Sequence, residues 1–120
     1  MQVAAQSSVY HWEQIGSALH LQRGEWLNAH FNISLGTGEA AQRLATLCCD
    51  LTQANLGLMQ DFDIANGYEG IARALGLIGK VEEAKHYYEK ACEAGEAIAD
   101  EKDRGIFMGD FEAGEWFSVS

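Results

Sequence analysis

Between Ile64 and Ile98 the apolar positions recur at steps of three and four. Ile64, Tyr68, Ile71, Ala72, Leu75 and Ile78 therefore share one face of a helix. Gly79-Lys80 interrupts the pattern, and glycine is the residue that most readily closes a helix in the left-handed conformation. The pattern resumes at once with Val81, Ala84, Tyr87, Tyr88, Ala91 and Ile98. Glu82 and Glu83 fall in the first turn of this second helix, where the helix dipole favours negative charge. So short a connection makes the two helices antiparallel neighbours. Ala72 and Ala84 are small where closely crossing helices must touch, and a larger side chain there would overpack the contact at about 1–3 kcal/mol. Tyr68, Leu75 and Tyr88 fill the remaining space.

A weaker copy of this pattern precedes it. Met1 to Ser7 is small and polar and reads as a frayed start. Ser8 is a candidate N-cap for a helix over 8–20, with Val9, Trp12, Ile15, Gly16 and Leu19 on one stripe. The stripe resets around Leu21 to Gly24, which predicts a new helix carrying Trp26, Leu27, His30, Phe31, Ser34 and Leu35. Leu35-Gly36-Thr37-Gly38 is a strong turn signal. Thr37 is the expected N-cap of the next helix, with Glu39 in its first turn. Ala41, Leu44, Ala45, Cys48, Leu51, Asn55 and Leu58 share a face of that helix. The two hairpins align: Gly36 with Gly79, Ala29 with Ala72, Glu39 with Glu82, Ala41 with Ala84 and Cys48 with Ala91.

Gln60 to Asp63 links the hairpins, and Asp61 or Asp63 is placed to cap the next helix. A last helix is expected after Ala99, with Asp100 as N-cap and Asp103 three residues on. Ile106, Phe107, Met108 and Phe111 form its expected buried side. Beyond Gly114, Trp116 and Phe117 either dock on the body or hang free.

The stretch from Ala65 to Ile98 resembles a tetratricopeptide repeat, which has an aromatic, an apolar-small pair, an aromatic or Leu, and then Ala, aromatic, Ala in its second helix. Tyr68, Ile71-Ala72, Leu75, Ala84, Tyr88 and Ala91 stand at those places. The departures are Ala72 where Gly is common and Glu96 where the terminal Pro is common. Taken with RGEWLNAHF, LGTGEAAQRL, DFDIANGYEGIARA and GEAIADEKDR, most of the chain looks like a group of uncharacterised bacterial tetratricopeptide proteins. The resemblance implies an all-α fold of antiparallel hairpins stacked as a short α-solenoid. Its parts would be an N-terminal helix (8–20), a degenerate repeat (22–58), a repeat (61–98) and a capping helix (100–113). The interval between the hairpins is longer than the usual 34 residues, which sits uneasily with regular superhelical stacking.

Composition narrows the function classes. The chain has 120 residues, no proline, 48% hydrophobic residues and a formal net charge of −10. That charge disfavours nucleic acid, whose phosphates call for clustered Lys and Arg. No apolar run is long enough to span a bilayer. No basic segment followed by an apolar one opens the chain, so no signal peptide is expected. Three cysteines do not suggest a disulfide scaffold, and a cytoplasmic location is the expected default.

Candidate chemistry is sparse. Asp61-Phe62-Asp63 opens like a calcium loop, but Ala65, Asn66 and Ala72 stand where further ligands and the glycine belong. Glu82 and His86 are one helical turn apart and lack a third metal ligand. His11, His20 and His30 have no Cys or carboxylate at ligand spacing, and His30 is the one expected to face a groove. Cys48 and Cys49 diverge on a helix and are expected to be one buried and one partly exposed; Cys92 reads as packing or surface. No nucleophile-base arrangement or phosphate-binding glycine loop is evident. No enzyme activity, cofactor or metal is therefore expected.

The expected function is a protein-interaction module that binds a peptide or protein partner. By resemblance, the first helix of each pair lines a concave surface. Arg23, Trp26, Leu27 and His30 would face it from the first hairpin, and Asn66, Glu69, Gly70 and Arg73 from the second. Trp and Arg are enriched in binding hot spots; Trp26 is read as either groove or core, and Arg73 is expected to offer exposed charge there. Trp26 and His30 occupy two places of the basic-Asn clamp by which some tetratricopeptide domains hold a C-terminal carboxylate, so a chaperone-tail ligand is disfavoured. A second expectation is a homo-oligomer formed through exposed repeat ends, and a small-molecule or metal-dependent enzyme is the last of the three.

Overall fold

A computed structural model describes residues 7–113 and Trp116, with side chains from Ala18 onward. The described residues are helical throughout, with no strand. Helix α1 spans Ser7–Leu35, α2 Gly38–Ala54, α3 Asp61–Leu77, α4 Val81–Glu96 and α5 Glu101–Glu112; a single 3₁₀ turn, Leu56–Leu58, lies between α2 and α3.

The two hairpins close in the same way. Gly36 and Gly79 stand at φ 77° and 84°, a conformation that other residues resist. In each turn the next amide bonds back across six residues: Thr37 N–H to Asn32 O at 3.0 Å, and Lys80 N–H to Leu75 O at 2.9 Å. This satisfies a carbonyl that the helix end would leave open. Register is then carried into the second helix, where Ala41 N–H donates to Thr37 O and Ala84 N–H to Lys80 O, both at 2.9 Å. The aligned small residues Ala29, Ala41, Cys48, Ala72, Ala84 and Ala91 are all buried.

The reset expected at Leu21 to Gly24 is absent: α1 is one helix of 29 residues. Its inward stripe is continued by a polar residue. Gln22 is 1% exposed, and its side-chain amide donates to Thr52 Oγ1 at 3.1 Å and to Asp63 O at 2.9 Å. A satisfied polar group can thus hold a core position that an apolar pattern does not mark. The other expected stripe is also turned outward, since Leu27, Phe31 and Leu35 are exposed. Ser8 lies inside the helix, and its side chain is outside those described.

Thr37 occupies the N-cap of α2, but its hydroxyl donates backwards, to Asn32 O and Asn32 Oδ1 at 3.1 and 2.7 Å. Gln60 is the N-cap of α3, and Asp63 reaches back to accept from its N–H at 3.1 Å. Asp61 instead accepts from Ala99 N–H at 3.0 Å, tying the start of α3 to the α4–α5 link. Asp100 caps α5, accepting from Asp103 N–H at 2.8 Å.

Helix α3 is the central element, in contact with α1, α2, α4 and α5. Every residue from Glu69 to Gly76 is buried. Helix α5 docks where α4 is small: a Cβ on Gly95 would lie 2.4 Å from Phe107 Cε2. Phe107, Phe111, Tyr88 and Trp116 stack there with ring centroids 4.7–5.6 Å apart. Phe107 and Phe111 are the buried side of α5, whereas Ile106 is 56% exposed. Trp116 docks on the body; Phe117 lies outside the described residues. No described helix is long and apolar enough to cross a membrane.

Candidate binding groove

The equal register of the hairpins brings equivalent positions of α1 and α3 face to face. Trp26 and Glu69, and likewise His30 and Arg73, are 43 residues apart and occupy the same places in their units. Gly70 lets the Trp26 ring lie against α3, since a Cβ there would sit 3.3 Å from Trp26 Cδ1. Trp26 Nε1–H then donates to Glu69 Oε1 at 2.9 Å. His30 Nε2 meets the same oxygen at 2.8 Å, its ring tilted against that of Trp26 at 4.4 Å. Arg73 Nε donates to Glu69 Oε2 one helical turn along.

Glu69 is 4% exposed and Arg73 5%. Burial is the largest influence on the Glu69 carboxyl and pushes its pKa up. The bond from His30, the charges of His30 and Arg73, and the bond from Trp26 together outweigh it, and the carboxyl titrates below its ordinary range. Arg73 is therefore not the exposed groove cation expected from the sequence. Its Nη2 donates to Asp110 O, Phe111 O and Ala113 O at 3.0, 3.2 and 3.0 Å, and its guanidinium lies 4.0 Å from the Trp116 ring centroid. A charge from α3 thus closes the C-terminal carbonyls of α5.

Around this node lies a cavity of about 650 Å³ between α1, α3 and the C-terminal half of α5. Ile33, Leu35, Leu77, Phe107 and Phe111 supply its apolar wall, and Trp26, His30, Asn66, Glu69 and Arg73 its polar one. A smaller cavity of about 210 Å³ adjoins it along α5, sharing Trp26, Asn66, Phe107 and Asp110 and adding Phe62, Asp103 and Ile106. Five of the eight residues expected at a groove thus line it: Trp26, His30, Asn66, Glu69 and Arg73. Trp26 is half-buried and joins core to cavity.

Three of the eight lie elsewhere, and Gly70 is buried beneath the Trp26 ring. Arg23 is paired with Asp63, donating from Nε and Nη2 to its two oxygens at 2.9 Å each, and lies over Phe62. That bond, before the attraction of the charge, raises the Arg23 pKa. Leu27 is exposed on the outer side of α1 and lines neither cavity. The contribution of α5 through Asp103, Phe107 and Asp110 is not foreseen by a reading of that helix as a cap alone.

The remaining candidates line neither cavity. Cys48 and Cys49 are both buried, not one buried and one partly exposed. Burial, then the neighbouring Cys49, pushes Cys48 up to about 12, so it carries no thiolate at neutral pH. Glu82 and His86 are exposed, and no group of three metal-binding side chains occurs among the described residues. Comparison with protein-family models, with curated proteins and with solved structures finds no match.

Proposed function

We propose that the chain is a protein-interaction module of tetratricopeptide-like build that holds a peptide segment of a partner between α1, α3 and α5. One observation carries this reading: a cavity of about 650 Å³ lies along the first helix of each hairpin, as a concave repeat surface would. Binding rather than catalysis is supported by the central acid, because both Glu69 oxygens already accept bonds. Asn66, by contrast, has a side chain with no hydrogen bond among the described residues and faces both cavities. Three free cysteines suit a reducing, cytoplasmic setting.

The test is a selection of displayed peptides on the intact chain, followed by rebinding to Ser34→Trp. Ser34 is exposed and lines the cavity, so an indole there obstructs it without replacing a core residue. Selected peptides should lose at least about tenfold in affinity while the melting temperature holds. Equal binding to both proteins contradicts the reading.

A second reading, self-association, rests on the exposed Leu27, Phe31 and Leu35, which recur every fourth residue along α1. Sedimentation over a range of concentrations separates the two: a monomer at all of them removes the self-association reading.

A further inference from the structure

The charge around the groove discriminates among occupants. Glu69 and Arg73 neutralise each other inside the wall, and Arg23 is held by Asp63. Among the described residues neither cavity is lined by lysine, and Arg73 is the only arginine that lines either. Asp103 and Asp110 remain, and neither carboxylate has an ion-pair or hydrogen-bond partner among the described residues. They lie on the same side of α5 as Phe107, on the wall of the smaller cavity, and Asp110 also borders the larger one. The chain as a whole carries −10, which draws cations towards any such cleft.

We infer that the occupant of the groove is a basic peptide segment, with Lys or Arg side chains over Asp103 and Asp110 and a large apolar side chain in the larger cavity. This rests on the groove reading above and names the chemistry of its partner. Asp103 and Asp110 are seven residues apart on a helix, about 10 Å along its axis. An extended peptide covers that distance in about three residues, so two basic residues at that interval reach both carboxylates. Phe62 and Trp26 line the same cavity as the acids, an apolar surface that also suits the aliphatic stem of a basic side chain. Beyond Asp110, Leu77, Ile33 and Phe111 take an aliphatic or aromatic side chain. Asn66, at the junction of the cavities, offers a donor and an acceptor to the peptide backbone between.

The test uses the intact chain and three dye-labelled peptides: one with Lys and Leu set among Ser and Gly, one with Glu in place of each Lys, and one with Ser in place of each Leu. The Lys-Leu peptide should bind, and each of the other two should bind at least about tenfold more weakly. Its affinity should fall several-fold between about 0.05 M and 0.5 M salt. Asp103→Asn combined with Asp110→Asn should cost about tenfold at low salt and little at high salt. Glu89→Gln combined with Glu93→Gln, on the exposed side of α4, should cost little at either. All variants should melt with the parent.

Equal binding of the Glu peptide, or an equal loss from the α4 variant, overturns the inference; if Ser34→Trp still blocks binding, the groove itself stands. Failure of the Lys-Leu peptide to bind at about millimolar concentration also overturns it. Binding of all peptides that ignores Ser34→Trp removes the groove reading as well. Self-association abolished by Ser34→Trp makes a second copy the occupant and overturns the basic-peptide assignment.

Discussion

Helices α1 and α3 are the first helices of matched hairpins, yet their surfaces differ. The turns share one conformation at Gly36 and Gly79, and the contact residues Ala29 and Ala72 are equally buried. Position by position, however, Leu27 and Phe31 on α1 correspond to Gly70 and Ala74 on α3. The first pair is 61% and 64% exposed, whereas the second is buried. Helix α3 has neighbours on both sides and needs small residues where Trp26 presses on Gly70. Helix α1 is an edge, and the same positions carry large apolar groups that no described residue covers. Local turn chemistry therefore sets the hairpin, while the place among the five helices sets burial. On this edge helix the apolar stripe Leu27, Phe31 and Leu35 is left exposed among the described residues.

The sharpest way to break this comparison is at the node joining the two helices. Glu69→Ala should cost about 3–5 kcal/mol, because it strands the Arg73 charge inside. Adding Arg73→Met should recover part of the loss; urea unfolding measures both. The same carboxyl sets a pH dependence. Its pKa is lowered on folding, so its stabilisation is complete above the ordinary glutamate value of about 4.3 and is lost as pH falls through the lower folded value. Glu69→Gln should flatten melting temperature against pH in that acid range alone.

Next comes the close contact repeated in both hairpins. Ala84→Leu and Ala41→Leu should each cost about 1–3 kcal/mol, and Lys85→Leu almost nothing. A large cost at Ala84 with none at Ala41 would mean that the hairpins are not packed alike. Gly36→Ala and Gly79→Ala should each cost about 1 kcal/mol, since both place Cβ in the left-handed region. The smallest effect is expected at the edge: Leu27→Ser and Phe31→Ser should change stability by less than about 0.5 kcal/mol. A larger loss would show that α1 is not an edge in solution.

Much of the local structure is legible in the residues. The glycine turns, the alanine contacts, the Asp100 cap and the pairing of helices follow from apolar spacing and cap chemistry. What escapes is decided by polar groups whose partners are distant in the chain. Gln22 holds a core position through Thr52 and Asp63, so the single helix α1 reads as two. Arg73 has the spacing of a groove residue, but its role depends on carbonyls 37 to 40 residues away. Glu69 is readable as a groove-facing position; that Trp26 and His30 share one of its oxygens is not.

The groove itself is tested most directly by amide and indole chemical shifts during titration with the Lys-Leu peptide. Binding in the groove should move Ser34, Asn66, Leu77, Asp110 and the Trp26 indole N–H. Glu82, Glu89 and Glu93 on the exposed side of α4 should stay fixed. Shifts confined to α4, or to Leu27, Phe31 and Leu35 with the cavity residues unmoved, would contradict it.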